Sequence, residues 1–335
     1  MNKQPLTCGE FQTNEKFQEK WLGDQFCGSQ GLVDSVLATI EDRLGKTKAG
    51  SMEIVQIIED WRAQQTGGIL SAIKLYKACI LPKLLYNAGT WTELPAKGLK
   101  MLEDSQVWFL RMLLRTGPGC PRMALLSETG LPQLKIRIWK EKIRLIIHIR
   151  SLEETEMARR VWEEQWRYQW PGLATEVTDI CQQLGIENAN TTEMGRGQYL
   201  SLLGRACKNK NESDLKKGME GLKKTGEIMK ENCELKKYFS ANNLKTVRDI
   251  FSKRVFMLPF AGNYSKDKRF QRTDWKCVAC GGTEKEEQSH ITDCPGYQDL
   301  RDTWDLDTEE GLVSFYRAVL NRRDSQELRD IRGKL

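Results

Sequence analysis

Residues 133–150 read QLKIRIWKEKIRLIIHIR, and their periodicity decides the class of fold. Projected at about 100° per residue, Ile136, Trp139, Ile143, Ile146 and Ile147 fall within one third of the circle. That stripe has helical spacing, and strand alternation does not reproduce it. Arg137, Lys140, Arg144 and His148 occupy the adjacent strip, so one helix carries a core face beside a basic ridge. Such a ridge suits phosphates spaced along a backbone, each contact weakening as salt rises. The plain alternative is a solvated helix face. His148 reads as a neutral helix residue, because no carboxylate or second histidine is placed to orient it.

The same period extends outward on both sides. Val33, Val36, Leu37, Ile40 and Leu44 form a stripe that is expected to end at Gly45. A second helix is expected over 51–65, with Ile54, Ile57, Ile58 and Trp61 on one side, closed by Gly67-Gly68. A third is expected over 69–88, carrying Ile69, Ile73, Tyr76, Ile80 and Leu84 and a kink at Pro82. Leu99, Leu102, Phe109 and Leu113 mark a fourth, stopping at Gly117-Pro118-Gly119. Residues 20–30, KWLGDQFCGSQ, read as a short strand and turn. Residues 156–170 hold Trp162, Trp166, Tyr168 and Trp170, a patch read as helix packing in preference to base stacking. Residues 171–250 are polar and interrupted by glycines, which predicts short helices joined by mobile loops. The class is mainly α, with divisions at 1–31, 32–170, 171–256, 257–304 and 305–335.

Composition excludes several classes. The 335 residues include only 9 Pro and 27 Gly, which rules out collagen-like and low-complexity chains. Ten cysteines are too sparse at this length for a disulfide scaffold. The apolar runs fall far short of the ~20 residues that cross a bilayer, and the start, MNKQPLTCGEF, has no apolar signal core. An intracellular, reducing location, nuclear or cytoplasmic, is expected. The net charge of +6 is mild, but residues 204–276 carry 19 Lys and Arg against 9 Asp and Glu. With 135–150 this makes two basic zones, the footprint expected for a polyanion.

One constellation carries specific chemistry: Cys277 and Cys280, Gly281-Gly282, then His290 and Cys294. Cysteines two apart before a glycine allow a tight turn that aims both sulfurs at one point. His290 and Cys294, four apart, share one side of a helical turn that Pro295 can end. Three thiolates and one imidazole make a closed tetrahedral set for Zn2+; a chance grouping of reduced, buried thiols is the alternative. With four protein ligands no position stays open for water or substrate, so the expected role is structural. Its formation is worth on the order of 10–16 kcal/mol of apparent binding free energy. Phe270, Trp275, Ile291, Tyr297 and Trp304 are expected to pack around it. Lys266, Lys268, Arg269, Arg272 and Lys276 lead into the ligands, a mixture of cations and rings suited to single-stranded nucleic acid.

No phosphate-binding loop, zinc-protease helix, nucleophile elbow or dinucleotide fingerprint occurs, and no two Asp residues are adjacent. No catalytic residue and no small-molecule substrate are expected. Three stretches together resemble the C-terminal part of a non-LTR (LINE-type) retrotransposon reverse transcriptase. Lys20-Trp21-Leu22-Gly23 is similar to the segment ending that family's palm. LYKACILPKLLYNAGTW (75–91), with Leu102, Gln106 and Arg111, is similar to its thumb. Cys277-x2-Cys280 through HITDCPGYQDLR (290–301) is similar to its C-terminal CCHC motif and trailing residues. The family usually places seven or eight residues before the histidine and four after it; here there are nine and three, with the overall span preserved.

The resemblance implies a palm remnant over 1–31, a thumb-like helical domain over 32–170, a zinc knuckle over 257–304 and template–primer handling. It also implies that polymerase fingers, catalytic palm and any endonuclease lie outside this chain, with Met1 an internal methionine of a longer or decayed element. The expected function is binding of RNA or DNA, with the upstream polymerase portion of the element as a further partner. Backbone contacts are expected from Arg137, Lys140 and Arg144 and, beside the zinc, from Lys266, Lys268, Arg269, Arg272 and Lys276. A zinc-stabilised protein-interaction adaptor is the competing reading, favoured by the acidic loop at Glu284, Glu286 and Glu287.

Overall fold

A computed structural model describes residues 7–8, 11–12, 18–21, 24–27, 32–62, 65–222, 225–260, 263, 276–277, 279–281 and 284–322. Lys266, Lys268, Arg269, Arg272, Phe270 and Trp275 lie outside the described residues. The fold is mainly helical. Strands are confined, among the described residues, to two short antiparallel hairpins, β1 (Thr7–Cys8) with β2 (Phe11–Gln12) and β3 (Gln18–Trp21) with β4 (Asp24–Cys27). The helices are α1 (Leu32–Arg62), α2 (Gly68–Leu75), α3 (Leu81–Leu84), α4 (Ala96–Leu114), α5 (Arg122–Thr129) and α6 (Leu134–Arg150). They continue as α7 (Met157–Arg167), α8 (Leu173–Leu184), α9 (Arg196–Met219), α10 (Gly226–Met229), α11 (Tyr238–Ala241) and α12 (Leu244–Arg254). The chain then adds α13 (Gln288–Asp293), α14 (Gln298–Arg301) and α15 (Glu309–Arg322).

The chain divides into two compact units: 1–54, 74–108 and 131–214 form one, and 55–73, 109–130 and 215–335 the other. In the first unit, all five apolar residues projected onto one face of α6 are buried, and they pack with Trp162, Val177, Ile180, Tyr199 and Leu203 of α7, α8 and α9. Each such side chain is worth roughly 1.5–3 kcal/mol on leaving water. In the second unit, Glu128 at the end of α5 is fully buried and takes a two-point ion pair from Arg254 at 2.8 and 3.0 Å.

Four expectations about elements are corrected or refined. The break at Gly45 does not occur, and α1 runs through it from Leu32 to Arg62. A helix ending on glycine uses a left-handed backbone, and Gly45 does not adopt one. Thr47 and Ser51 instead return their hydroxyls to the carbonyls of Arg43 and Thr47, at 2.8 and 2.9 Å, so buried polar residues are satisfied inside the helix. Ile57 is exposed, unlike Ile54 and Ile58. The glycine-interrupted stretch after 195 holds one long helix, α9, since Gly197, Gly204 and Gly218 all lie within it. The expected kink at Pro82 takes a defined form: a π turn over Tyr76–Ile80, closed by Leu81 N–H on the Tyr76 carbonyl. Proline's ring crowds the carbonyl four residues back and offers no N–H, and a wider turn relieves that crowding.

Among the described residues, no helix is long and apolar enough to cross a membrane.

Candidate metal centre

The candidate metal-ligand set is built from two short pieces of chain. In the first, Lys276 pairs with Lys285 in an isolated antiparallel bridge, and Cys277 N–H donates to the Glu284 carbonyl at 3.0 Å. Gly281, directly after Cys280, takes the left-handed backbone (φ +62°) that turns the chain back. In the second, α13 carries His290, and Cys294 follows as the capping residue before Pro295. Arg301 holds this end by donating to the carbonyls of Thr292 and Cys294 at 3.0 and 2.6 Å.

Gly296 brings the two pieces together. A β-carbon there would stand 2.7 Å from the carbonyl oxygen of Ala279, between the two cysteines of the turn. Only glycine allows that approach, and the Gly296 N–H donates to the Cys294 sulfur.

The ligand atoms of Cys277, Cys280, His290 and Cys294 all lie within 4.8 Å of one another. Cys277 Sγ is 3.6 Å from Cys294 Sγ, and Cys280 Sγ is 3.5 Å from His290 Nε2. A disulfide needs about 2.05 Å between sulfurs, so these are separate thiols. Tetrahedral bonds of about 2.3 Å to sulfur and 2.0–2.1 Å to nitrogen place S···S at about 3.8 Å and S···N at about 3.6 Å. Two of the six donor–donor distances thus match tetrahedral edges, and with all four donors within 4.8 Å of one another the group could hold one metal ion. Burial pushes the Cys294 thiol up to about 12, with the neighbouring Cys277 and Cys280 adding to the shift and the Gly296 N–H opposing it.

The surroundings match the expected packing in part. Ile291 and Tyr297 are buried with Cys277 and Cys294, together with Leu258, Phe260, Phe315, Tyr316 and Val319. The Thr292 and Tyr316 hydroxyls meet at 2.6 Å, and the Tyr316 hydroxyl also donates to the Gln288 carbonyl at 3.2 Å, tying α15 to the ligand helix. Trp304, expected in this cluster, is 40% exposed. Its position in the turns after α14 carries it away from the apolar side. Glu286 of the acidic loop is fully buried, so it adds no charge to the surface there.

Of the expected nucleic-acid contacts, Lys276 is exposed beside Cys277. Arg137, Lys140 and Arg144 lie on one side of α6, with Arg144 exposed and the other two half-buried. Arg137, Arg144 and His148 line an open groove of about 370 Å3 whose other wall comes from Leu81, Pro82 and Leu85. The sequence reading missed that wall; the one signal was a proline inside a helical pattern. Not every cation of 135–150 belongs to the ridge. Lys142 is buried and paired with Glu176, Arg150 bonds the carbonyls of Ala189 and Thr192, and Lys135 sits over the Trp139 ring at 4.6 Å. The aromatic patch splits as well. Trp162 is core and donates to Asn190 at 2.7 Å, whereas Tyr168 and Trp170 are exposed and stack on each other.

No protein-family model, curated protein or solved structure matches this chain.

Proposed function

We propose that this chain is a zinc-containing, nucleic-acid-binding C-terminal portion of a retroelement reverse transcriptase, without polymerase chemistry of its own. The observation that carries the reading is the convergence of three sulfurs and one imidazole nitrogen within 4.8 Å of one another on a chain whose α6 offers a row of cations. Zinc is the metal that this donor set selects: thiolates with imidazole are soft to borderline ligands, and d10 zinc accepts a tetrahedron without preference of its own. The ion would fasten the 276–281 turn to α13, and its four protein ligands leave it no catalytic vacancy. Arg137, Lys140, Arg144 and Lys276 would follow phosphates. Lys266, Lys268, Arg269 and Arg272 belong to the same reading by sequence.

Fluorescence anisotropy on single-stranded oligonucleotides across a salt series tests this. The logarithm of affinity should fall linearly with the logarithm of salt concentration, and Arg144→Gln should reduce the slope by about 0.7 for a single strand. Absence of binding at low salt, or binding indifferent to salt, would refute the reading. A second reading, a protein-interaction adaptor, is favoured by the exposed Met157, Val161, Tyr168 and Trp170. A nuclease-resistant pull-down combined with no shift of labelled RNA would select it.

A further inference from the structure

The groove along α6 combines features that a simple phosphate-following ridge does not need. Its floor is aliphatic, from Leu81, Pro82, Leu85 and Leu145, and its rim carries Arg137, Arg144 and His148. The floor can form because the π turn ahead of Pro82 widens the chain there, and because Gly89 lets the 88–90 turn press against α6. A β-carbon on Gly89 would lie 3.1 Å from the Glu141 carbonyl oxygen. Glu141 is the acid at the rim, and Arg144 pairs with it at 3.0 Å.

We propose that this groove seats one unpaired nucleotide of a single-stranded nucleic acid, the base lying on the aliphatic floor and the flanking phosphates meeting Arg137 and Arg144. Duplex phosphates need only an exposed ridge. An apolar hollow about the size of a nucleotide, with the His148 imidazole at its rim, suits a splayed base, because that ring can stack on a nucleobase while the guanidinium groups follow the phosphates. The excess of positive charge points to an anionic occupant. Lys77, in the π turn, has its ammonium pKa held below the ordinary value by burial and by the charge of Arg137. Neither Lys77 nor Arg137 has a carboxylate partner among the described residues. Two crowded cations without an acid are relieved when a phosphate arrives.

This inference rests on the nucleic-acid reading above, and the experiment separates the two. The 335-residue chain is titrated into fluorescein-labelled strands of about 12 nucleotides: oligo(dT), oligo(rU) and an abasic strand of equal charge, alongside a blunt duplex. The groove predicts that the abasic strand binds at least about 5-fold more weakly than oligo(dT), the loss of one stacked base, and that the duplex is no better than the abasic strand. Leu145→Gln, which roughens the floor without changing charge, should shrink the preference for bases below about 2-fold. Circular dichroism on that variant checks that α6 persists. Tighter binding of oligo(rU) than oligo(dT) would identify RNA as the occupant, and the reverse DNA. Equal affinity for abasic and normal strands, or a base preference unchanged in Leu145→Gln, overturns the groove and leaves salt-dependent binding standing. No binding of any strand overturns both.

Discussion

Replacing Arg254 with methionine probes a buried ion-pair network among the described residues. Glu128 is fully buried, and Arg254 is 7% exposed. Arg254 donates to both carboxylate oxygens of Glu128, and the Tyr238 hydroxyl adds a third bond at 2.8 Å. The same guanidinium reaches Glu231 at 2.7 Å and Glu309 at 3.2 Å. Burial alone would favour loss of its proton, but the bonds and charges of Glu128 and Glu231 hold it charged, above its ordinary value. In Arg254→Met the side-chain volume is largely kept, so the main effect is a buried carboxylate left with a single donor. Stranding one partner of a buried pair costs about 3–5 kcal/mol. With a urea m-value of about 2 kcal/mol/M, the unfolding midpoint should fall by about 2 M. Adding Glu128→Met removes the stranded charge and should recover more than half of that loss. Urea titration followed by circular dichroism measures both. A shift below about 0.3 M for the single variant, or a double variant as unstable as the single, would refute the reasoning.

Glu59 gives a pH test. Burial would raise its carboxyl, but hydrogen bonds and charge from Arg248, with help from Arg115, hold it below the ordinary 4.5. A depressed carboxyl contributes stability that is complete above the ordinary value and is lost as pH falls through the folded one. Glu59→Gln should therefore be less stable than the parent at pH 7, the gap closing below about pH 4.5. Equal pH profiles for the two proteins would contradict the pairing. Gly296→Ala should weaken metal retention at least tenfold in a chelator competition, because its methyl group meets the Ala279 carbonyl. Unchanged retention would mean that the two ligand pieces do not depend on that approach.

Local periodicity made most of the helical architecture legible. The α6 stripe and the set Ile69, Ile73, Tyr76, Ile80 and Leu84 are buried as their spacing requires. The grouping of the candidate ligands was legible for a related reason: C-x2-C and H-x3-C are short-range patterns, and each fixes its own local geometry. What escaped depends on contacts distant in sequence. Glu128 and Arg254 lie 126 residues apart, and nothing in either neighbourhood announces the pair. Gly45 looked like a stop because glycine often is one, yet its role depends on backbone sign, which the residue type leaves open. Lys142 read as part of a basic cluster, and only the position of Glu176 turns it inward. The groove needed Pro82 to be read as widening the chain, where a kink was expected.

Whether the four donors hold an ion is decided by metal analysis of the 335-residue chain, purified without chelator and in reductant. One zinc per chain is expected, with an X-ray absorption spectrum showing three sulfurs near 2.3 Å and one nitrogen near 2.0–2.1 Å, and loss of the ion in Cys277→Ser. Substoichiometric zinc that added metal does not restore, or a first shell dominated by oxygen, would contradict that expectation.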